Sequence, residues 1–258
     1  MYAEERQKLI IEYLTANGRL DVGTLASNFK ISRETIRRDL KELESRGLLL
    51  KTHGGAILQE NSASWYEVPF TLRESKNIEK KISICSNVAK LIANYDNIFL
   101  DNSSTVASLI KFLPLSMNLT IITNSTKVLL EIMKRHSNSW TIITTGGQFI
   151  TQTLSSSGYL AINILQFFKP NKAFMSCHGI DSELDVTEGT IFDAEIKQVV
   201  LNSAREKFLL ADSTKLNHNG VVKVASVSSY DHVFTNQDAD EKFLEKIRKA
   251  GVNVEVVP

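Results

Sequence analysis

The chain has 258 residues, 43% of them hydrophobic, with 30 basic and 29 acidic side chains and a formal net charge of +1. A charge balance so close to zero excludes a nonspecific polycation, so any basic surface must be local. No apolar run is long enough to span a bilayer, and the start MYAEERQKL lacks the pattern of a secretory signal, so we expect a cytoplasmic protein without membrane segments.

The N-terminal part of the chain carries the pattern of three helices. Apolar residues recur at helical spacing up to Asn17-Gly18, which supplies a stop signal. Asp21 is suited to cap a short second helix. Ser32 is suited to cap a third helix over residues 32–45, in which the apolar positions again follow a helical period.

The segment after the third helix predicts a small β-wing. Gly47 ends the helix, and Leu48–Lys51 is a short β-rich run. The sequence THGG at 52–55 predicts a turn into a second strand at Ala56-Ile57. The order of helix, helix, turn, helix and wing predicts a winged helix-turn-helix domain over residues 1–57.

Residues 58–77, LQENSASWYEVPFTLRESKN, lack a sustained apolar period and contain a proline and several Ser and Asn residues. This composition is typical of a connecting segment. We therefore predict a linker over 58–77 and a second, larger domain over 78–258.

Strand-like and helix-like segments alternate in the larger domain. The β-rich runs are 97–101, 119–124, 141–146, 172–180, 207–212 and 253–257. The helical stretches are near 104–112, 126–136, 157–168, 193–204 and 240–249. This alternation predicts an α/β domain with a mainly parallel sheet and helices on its faces.

The third predicted helix presents basic residues on the side away from its apolar stripe. If Ile36, Leu40 and Leu43 face the core, a row of bases spaced four residues apart faces outward. A helix about 10–12 Å wide fits the major groove, where arginine can bridge O6 and N7 of guanine. The residues predicted to contact DNA are Ser32, Arg33, Thr35, Arg37, Arg38 and Lys41 of the helix and Lys51, His53 and Gly54 of the wing.

A solvated surface helix is the alternative explanation of the same charges. Glu34 with Arg38, for example, would then be an ordinary surface pair, and charge alone favours this explanation. The ordered combination of a short helix, a turn, a basic helix and a wing favours DNA binding instead.

Two motifs in this region are more specific than a generic helix-turn-helix. They are TIRRDL at 35–40 and HGGA at 53–56. With both motifs at this spacing, residues 4–57 resemble the DNA-binding domain of the DeoR family of bacterial transcriptional regulators. The resemblance implies a helix-turn-helix over about residues 20–39, with 32–45 as the recognition helix.

Small polar residues follow three of the predicted strands, in the segments DNSST at 101–105, TNS at 123–125 and TTGG at 144–147. In an open parallel sheet the carboxyl ends of the strands line the ligand crevice, and backbone N–H groups at a helix start suit a phosphate. Helix capping is the alternative for any single loop. Three such loops in register favour a ligand site.

Two later stretches add charged candidates. CHGID at 177–181 contains His178 and Asp181, and TEGTIFDAEIKQVV at 187–200 contains Glu195 and Lys197. Lys197 is suited to pair with a phosphate, and Asp181 or Glu195 to accept hydrogen bonds from sugar hydroxyls. Because Glu195 and Lys197 are two apart on a predicted helix, they cannot share one face, and one of them can be a plain surface charge.

The segments IFLDNSST, TNS, TTGG, SSSG, CHGID and LLADSTK follow in order the landmarks of a DeoR-type sensor domain. This resemblance covers roughly 78–235 and implies a fold similar to sugar-phosphate isomerases and a sensor for a phosphorylated sugar or related metabolite. DNSST lacks the glycine of the family's usual DSGTT. We therefore expect the side chains of Asn102 and Ser103 to leave less room for a phosphate to approach the backbone of this loop. The residues predicted to bind the effector are Asp101, Asn102, Ser103, Ser104, Thr105, Asn124, Ser125, Gly146, Gly147, His178, Asp181, Glu195 and Lys197.

The resemblance implies a repressor of a sugar-metabolism operon that is released from double-stranded operator DNA by a phosphorylated sugar and works as a homodimer or homotetramer. An activator or dual regulator is one alternative, and an isomerase-like enzyme with an attached DNA-binding module is another. Asp101, Asp181, Glu195 and Lys197 are residue types that an isomerase uses, but no spacing among them demands catalysis, so we expect no enzymatic activity.

Cys85 and Cys177 lie in apolar stretches without CxxC spacing or a neighbouring His cluster. This pattern predicts buried free thiols and supports neither a disulfide framework nor a zinc site. We also expect no cofactor. TTGGQF contains neither GxGxxG nor a GKS or GKT ending, so a nucleotide-binding loop is not expected there.

Overall fold

A computed structural model describes residues 3–45, 49–57 and 70–258 of the chain. The chain divides into two compact units, an N-terminal unit of residues 1–76 and a C-terminal unit of residues 77–258. Gly47, predicted to end the third helix, lies outside the described residues, as does most of the predicted linker.

The N-terminal unit contains the three predicted helices and one more. They are α1 (Ala3–Asn17), α2 (Val22–Phe29), α3 (Arg33–Ser45) and α4 (Phe70–Ser75). The side chain of Asp21 accepts the Thr24 N–H at 2.8 Å at the start of α2, and Ser32 Oγ accepts the Thr35 N–H at 3.1 Å at the start of α3. Both caps predicted from the sequence are therefore confirmed.

The helix α4 was not predicted, because it lies within the segment interpreted as a linker. Its first residue, Phe70, is buried, and α4 packs against α1. Residues 70–75 are therefore part of the N-terminal unit rather than a connecting chain. The division into 1–57, 58–77 and 78–258 otherwise stays a prediction.

The wing is a three-stranded antiparallel sheet in the order β1-β3-β2, built from β1 (Arg19–Asp21), β2 (Leu50–Thr52) and β3 (Gly55–Ile57). The hairpin was predicted, whereas β1 was not. Gly54 turns the hairpin with φ +99°, and a Cβ on Gly55 would stand 1.9 Å from the Leu20 carbonyl oxygen of β1. The two glycines thus serve different needs, a left-handed turn and a close approach of two strands.

The N-terminal unit has its own hydrophobic core. It is formed by one face of each of α1, α2 and α3 together with the inner side of the wing. Its fully buried members include Ile10, Leu14, Leu25, Ile36, Leu40, Leu43, Leu49 and Ala56. The apolar stripe predicted for α3 is therefore the stripe that packs inward.

The C-terminal unit is an α/β domain, as predicted. Its helices are α5 (Ile78–Val88), α6 (Ser104–Leu109), α7 (Thr126–Arg135), α8 (Tyr159–Gln166), α9 (Ile191–Ser203) and α10 (Glu241–Lys249). Its strands are β4 (Asn97–Leu100), β5 (Leu119–Thr123), β6 (Trp140–Thr144), β7 (Gln148–Ile150), β8 (Ser155–Ser157), β9 (Lys172–Met175), β10 (Gly179–Ile180), β11 (Asp185–Glu188), β12 (Glu206–Leu210), β13 (Val222–Ser226), β14 (His232–Asn236) and β15 (Asn253–Val257).

Seven of these strands form one parallel sheet in the order β15-β14-β12-β9-β4-β5-β6. The chain winds outward from β4 through β5 to β6 and then returns to β9, from which it winds the other way through β12, β14 and β15. The direction of winding therefore reverses between β4 and β9. In open parallel sheets a ligand crevice lies at this switch point, outside the carboxyl ends of the strands.

Several elements of the C-terminal unit were not predicted from the sequence. The predicted run 172–180 is two strands, because β9 belongs to the large sheet whereas β10 pairs with β11 and β11 with β13 in a small antiparallel sheet. The hairpin of β7 and β8, the strand β14 and the helix α5 were also not predicted. Strands of two or three residues, such as SSS in β8, carry too little periodicity to be recognised.

Candidate functional sites

The basic row of α3 faces solvent in the structure. Arg33, Arg37, Arg38 and Lys41 are exposed, and Thr35 is half-buried beside them. Arg37 Nη1 lies 3.5 Å from Glu34 Oε2, and the two side chains are 59% and 82% exposed. Such an exposed pair contributes little stability and is easily exchanged for a phosphate or a base edge. The predicted DNA contacts of these residues stay predictions.

A buried ion pair fixes α3 against α1, and the sequence analysis did not find it. Arg6 Nε donates to Asp39 Oδ2 at 2.5 Å, and Nη2 donates to Oδ1 at 2.9 Å. The hydrogen bond to Asp39 raises the pKa of the Arg6 guanidinium, outweighing the effect of burial. Gln7 Nε2 donates to Glu42 one turn further along α3, at 2.9 Å. This bidentate contact thus holds α3 in a fixed orientation on α1.

The environment of each residue in α3 accounts for the composition of the TIRRDL motif. Ile36 and Leu40 lie in the core, Asp39 is buried against Arg6, and Arg37 and Arg38 remain exposed. The position of Asp39 between two core residues on the same helix face was the available signal, since a carboxylate there must find a partner.

A further hydrogen bond joins the wing to α3. Glu44 Oε1 accepts the backbone N–H of Lys51 at 2.8 Å, while the side chains of Lys51 and His53 are exposed.

Ser32 has a structural role as the cap of α3, and its hydroxyl also shares a hydrogen bond of 2.8 Å with the hydroxyl of Thr35.

At the switch point of the large sheet, Asp101 connects the loops that follow β4 and β9. Its carboxylate is completely buried. Oδ1 accepts the Ser103 N–H at 2.9 Å, and Oδ2 accepts the Ser176 N–H at 2.8 Å. Asp101 is therefore a structural anchor of the loop that was predicted to bind the effector.

Lys197 reaches the same place from α9. Its Nζ donates to the Ser176 carbonyl at 2.5 Å and to the Glu188 carboxylate, and lies 3.1 Å from Asp101 Oδ2. Burial by itself lowers the pKa of Lys197, but the Asp101 and Glu188 carboxylates outweigh burial and raise that pKa well above its ordinary value. Lys197 is therefore charged, and its three N–H bonds face acceptors within the protein rather than a phosphate.

Two more buried contacts involve the loop that follows β4. Asn102 Nδ2 donates to Asp193 Oδ1 of α9 at 2.7 Å, and Lys81 Nζ of α5 donates to Ser104 Oγ at 3.0 Å. Asn102 and Ser104 were predicted site residues, whereas their partners Asp193 and Lys81 and the buried Glu188 were not predicted. The spacing of Asp193 and Lys197, four residues apart on one helix, was a signal for one shared face.

The structure does not bring Asp181 and Glu195 into the network around Lys197. Asp181 Oδ1 accepts the N–H groups of Glu183 at 3.0 Å and Asp185 at 2.9 Å, which closes the turn between β10 and β11. Glu195 is half-buried on α9, and no hydrogen bond to the network is found for it among the described residues. The ring of His178 stacks on that of His218, with centroids 5.2 Å apart.

The other predicted effector residues divide into helix caps and loop residues. Ser103 Oγ accepts the Val106 N–H at 3.1 Å at the start of α6, and Ser125 Oγ accepts the Val128 N–H at 3.2 Å at the start of α7. The capping alternative thus holds for these two hydroxyls. The remaining members are Thr105, whose carbonyl accepts the Cys85 thiol at 3.1 Å, and Asn124, Gly146 and Gly147 near the start of α8.

Both cysteines are buried and free, and burial raises the pKa of each thiol to about 12. Neither is therefore ionised at neutral pH. Within the described parts of the chain, no group of three or more His, Cys, Asp or Glu residues is arranged to hold a metal ion. The same parts contain no helix with both the length and the apolar character that crossing a membrane requires.

Comparison with known families accounts for most of the chain. Residues 6–62 match the DeoR-like helix-turn-helix domain, and residues 76–237 match the DeoR C terminal sensor domain. The chain belongs to the DeoR family of transcriptional regulators. As a DeoR-family member it is a DNA-binding regulator, with a DNA-binding domain at its N-terminus and a sensor domain after it.

Named relatives of this DeoR-family chain cover nearly its full length. An uncharacterized HTH-type transcriptional regulator, YulB of Bacillus subtilis, is 32% identical over 100% of the chain and 98% of the relative. The lactose phosphotransferase system repressor of Staphylococcus epidermidis is 31% identical over 98% of both. The glycerol-3-phosphate regulon repressor of Escherichia coli is 29% identical over 92% of both.

Among solved structures, ribose 5-phosphate isomerase A from Methanocaldococcus jannaschii matches 55% of this DeoR-family chain and 55% of its own chain, with a TM-score of 0.41 and 18% identity.

Proposed function

We propose that this DeoR-family protein represses an operon of carbohydrate metabolism in the cytoplasm and is released from its operator by a phosphorylated sugar or polyol. The observation that carries the proposal is the exposed basic row of α3, held on α1 by the buried Arg6–Asp39 pair, in the same chain as a sheet edge rich in polar groups. The relatives named as repressors of a glycerol-3-phosphate regulon and of a lactose phosphotransferase system support this choice of ligand class.

DNA binding follows from the electrostatics of the N-terminal unit. Cations on α3 and on the wing can neutralise phosphates and displace condensed counterions, while an arginine in the groove reads base edges. The effector releases the protein from DNA if it binds more tightly to the form of the protein that has low affinity for DNA.

We propose that the sensor domain binds its ligand without converting it. The carboxylates and the ammonium that a proton-transfer reaction would need are already paired, because Asp101, Glu188 and Lys197 bind one another in a buried network. Asp181 is engaged in a turn. A catalytic base must reach a substrate proton, and these groups face the protein interior.

The test uses the full-length chain and duplexes selected by it from a random pool. Titrations followed by fluorescence anisotropy should give salt-dependent, sequence-specific binding, and one or more of a panel of triose, pentose and hexose phosphates should release the DNA. The unphosphorylated sugars serve as matched controls, and the ligand should be recovered unchanged. Sequence-specific binding that no phosphorylated compound weakens would contradict the proposed effector class, and turnover of ribose 5-phosphate would contradict a pure sensor.

We also propose that the protein is a homodimer or homotetramer that uses the outer side of α8. This helix, YLAINILQ, contains no charged residue, and Tyr159 and Leu160 are 78% and 65% exposed. Phe167, directly after it, is 81% exposed, and α8 packs beside α9, whose Ile191 and Phe192 are also exposed. Exposed apolar side chains on a helix that carries no charged residue can face their own copy across a two-fold axis without repulsion.

Replacing Phe167 with Glu should therefore shift the protein toward a smaller species. Each copy of the interface would carry a new charge facing its own symmetry mate, which disfavours association. Sedimentation velocity at several protein concentrations measures the change, and Lys169→Glu, which changes a residue that is already polar, is the control. Identical sedimentation of Phe167→Glu and the unmodified chain would place the interface elsewhere.

A further inference from the structure

The start of α8 lies among polar groups that the network around Lys197 does not use. Ser156, in β8, donates its N–H to the Asn124 carbonyl at 2.8 Å, and its own carbonyl accepts Asn124 Nδ2 at 3.2 Å. Asn124 follows β5, so the loop after β5 and the segment leading into α8 are joined. Gly146 and Gly147 follow β6 and lead into β7, which pairs with β8.

Gly147 allows the backbone to approach the first turn of α8. A Cβ on Gly147 would stand 2.7 Å from the Ser157 carbonyl oxygen and 3.2 Å from the Ala161 nitrogen. Gly147 also has φ +106°, a conformation that side chains other than glycine rarely adopt. The GG pair therefore places bare backbone directly against the start of the helix.

The N-terminus of α8 lacks a side-chain cap. The N-cap residue is Gly158, which has φ +83° and no side chain that could accept a hydrogen bond. The N–H groups of the first helical turn point along the axis toward this end, where the partial positive charge of the helix dipole favours an anion. By contrast, the starts of α6 and α7 are capped by Ser103 and Ser125.

Two buried side chains next to this helix start have an unused polar atom. Asn124 is 3% exposed and Ser157 is 1% exposed. Among the described residues, neither Asn124 Oδ1 nor Ser157 Oγ has a hydrogen-bond partner. Leaving a buried polar atom without a partner is costly, and proteins tolerate it mainly where a ligand or water satisfies it.

We propose that the first turn of α8, together with Ser157 Oγ and the backbone of Gly147, is the subsite for the phosphate of the effector, and that Asn124 Oδ1 accepts a hydrogen bond from a ligand hydroxyl beside it. This inference rests on the proposed function and assigns a place to the charged end of the ligand. Lys197 does not fill that role, because its N–H bonds are directed to Ser176, Glu188 and Asp101. Ser157 Oγ would donate to a phosphate oxygen, as would the N–H groups of the helix.

The same geometry orients the remainder of the ligand. Asn124 follows β5 and Asn102 follows β4, and these neighbouring strands are paired, with Leu100 opposite Thr123. Adjacent strands are about 4.8 Å apart. A phosphorylated sugar anchored at α8 can therefore extend its hydroxyl groups along the sheet edge toward the loop that begins at Asp101.

The test compares Ser157→Ala with Ser156→Ala in the full-length chain, using inorganic phosphate as the probe at constant ionic strength. Ser157→Ala should weaken phosphate binding roughly tenfold, as loss of a hydrogen bond to a charged group does. Without phosphate its Tm should be unchanged or higher, since the hydroxyl it removes has no partner. Ser156→Ala, which alters the half-buried neighbour, should bind phosphate like the unmodified chain.

Equal phosphate affinity of Ser157→Ala and the unmodified chain would overturn the proposed subsite. An equal loss of phosphate affinity in Ser157→Ala and Ser156→Ala would overturn it as well. Release of operator DNA by sugar phosphates is a separate measurement. If the unmodified chain and Ser157→Ala are released at the same effector concentration, the subsite is wrong and the proposed function stands. If no sugar phosphate releases the unmodified chain, the proposed function itself fails.

Discussion

Replacing Arg37 and Arg38 together with Ala should weaken operator binding on the order of 100-fold or more, because a bidentate contact of arginine with a base edge is worth about 1–3 kcal/mol. Both side chains are exposed, and neither belongs to the core of the N-terminal unit. The free energy of unfolding should therefore change by only about 0.5 kcal/mol. Fluorescence anisotropy with the selected duplex measures affinity, and thermal denaturation monitors the fold.

The control removes the same charge from the sensor domain, where Lys246 and Lys249 lie exposed in the last turn of α10. Lys246→Ala with Lys249→Ala should leave operator affinity nearly unchanged if the effect depends on position rather than on net charge. The slope of log affinity against log salt should also become shallower for the arginine variant alone, because fewer counterions are released on binding. Undiminished affinity of the arginine variant would mean that another surface reads the DNA.

The N-terminal unit shows which features local sequence can predict. Helix caps at Asp21 and Ser32, and the apolar period of α3, depend on residues close together in the chain, and the structure confirms them. The Arg6–Asp39 pair could not be assigned in the same way, because its partners are 33 residues apart and meet only when α1 packs on α3. Periodicity shows that Asp39 is near the core but not which cation reaches it.

In the sensor domain the difference between local features, which can be predicted, and contacts distant in sequence, which cannot, is larger. The loop DNSST and the helix that carries Lys197 were located correctly, since strand ends and helical periods are local. Of the two glutamates in the stretch 187–200, Glu188 at the end of β11 contacts Lys197, as Asp101 also does. Glu195 was the one predicted to be a site residue, as an acceptor for sugar hydroxyls. The choice depends on how the small antiparallel sheet folds back against α9, and short strands give little local signal for that packing.

Replacing Lys197 with Met should destabilise the C-terminal unit by about 3–5 kcal/mol at neutral pH, because removal of one partner leaves buried charges uncompensated. Methionine keeps most of the volume of the side chain, so little of the loss would come from a cavity. Asp101 and Glu188 would then face each other without the ammonium between them. Urea denaturation in a Trp65→Phe background measures the effect, with Trp140 of β6 as the single tryptophan reporter.

The loss of stability caused by Lys197→Met should become smaller as the pH is lowered. This pH dependence distinguishes electrostatic repulsion from poor packing as the cause of the loss. In the unmodified chain, burial raises the pKa of Glu188 and Lys197 opposes that rise. Without Lys197 the pKa rises further, so the folded variant binds a proton that the unfolded chain does not. Its stability is then restored as the pH falls through the raised pKa toward the ordinary value of 4.5.

The matched control is Lys223→Met, which removes a lysine that is 61% exposed and 2.6 Å from Asp185. A surface pair of this kind contributes roughly 0–1 kcal/mol, so its loss should be small at every pH. If Lys197→Met destabilised the fold as little as Lys223→Met does, another group or water would have to compensate the Asp101 and Glu188 side chains in the folded state. The network at the switch point would then be an adaptable part of the domain rather than a rigid anchor for the loop that begins at Asp101.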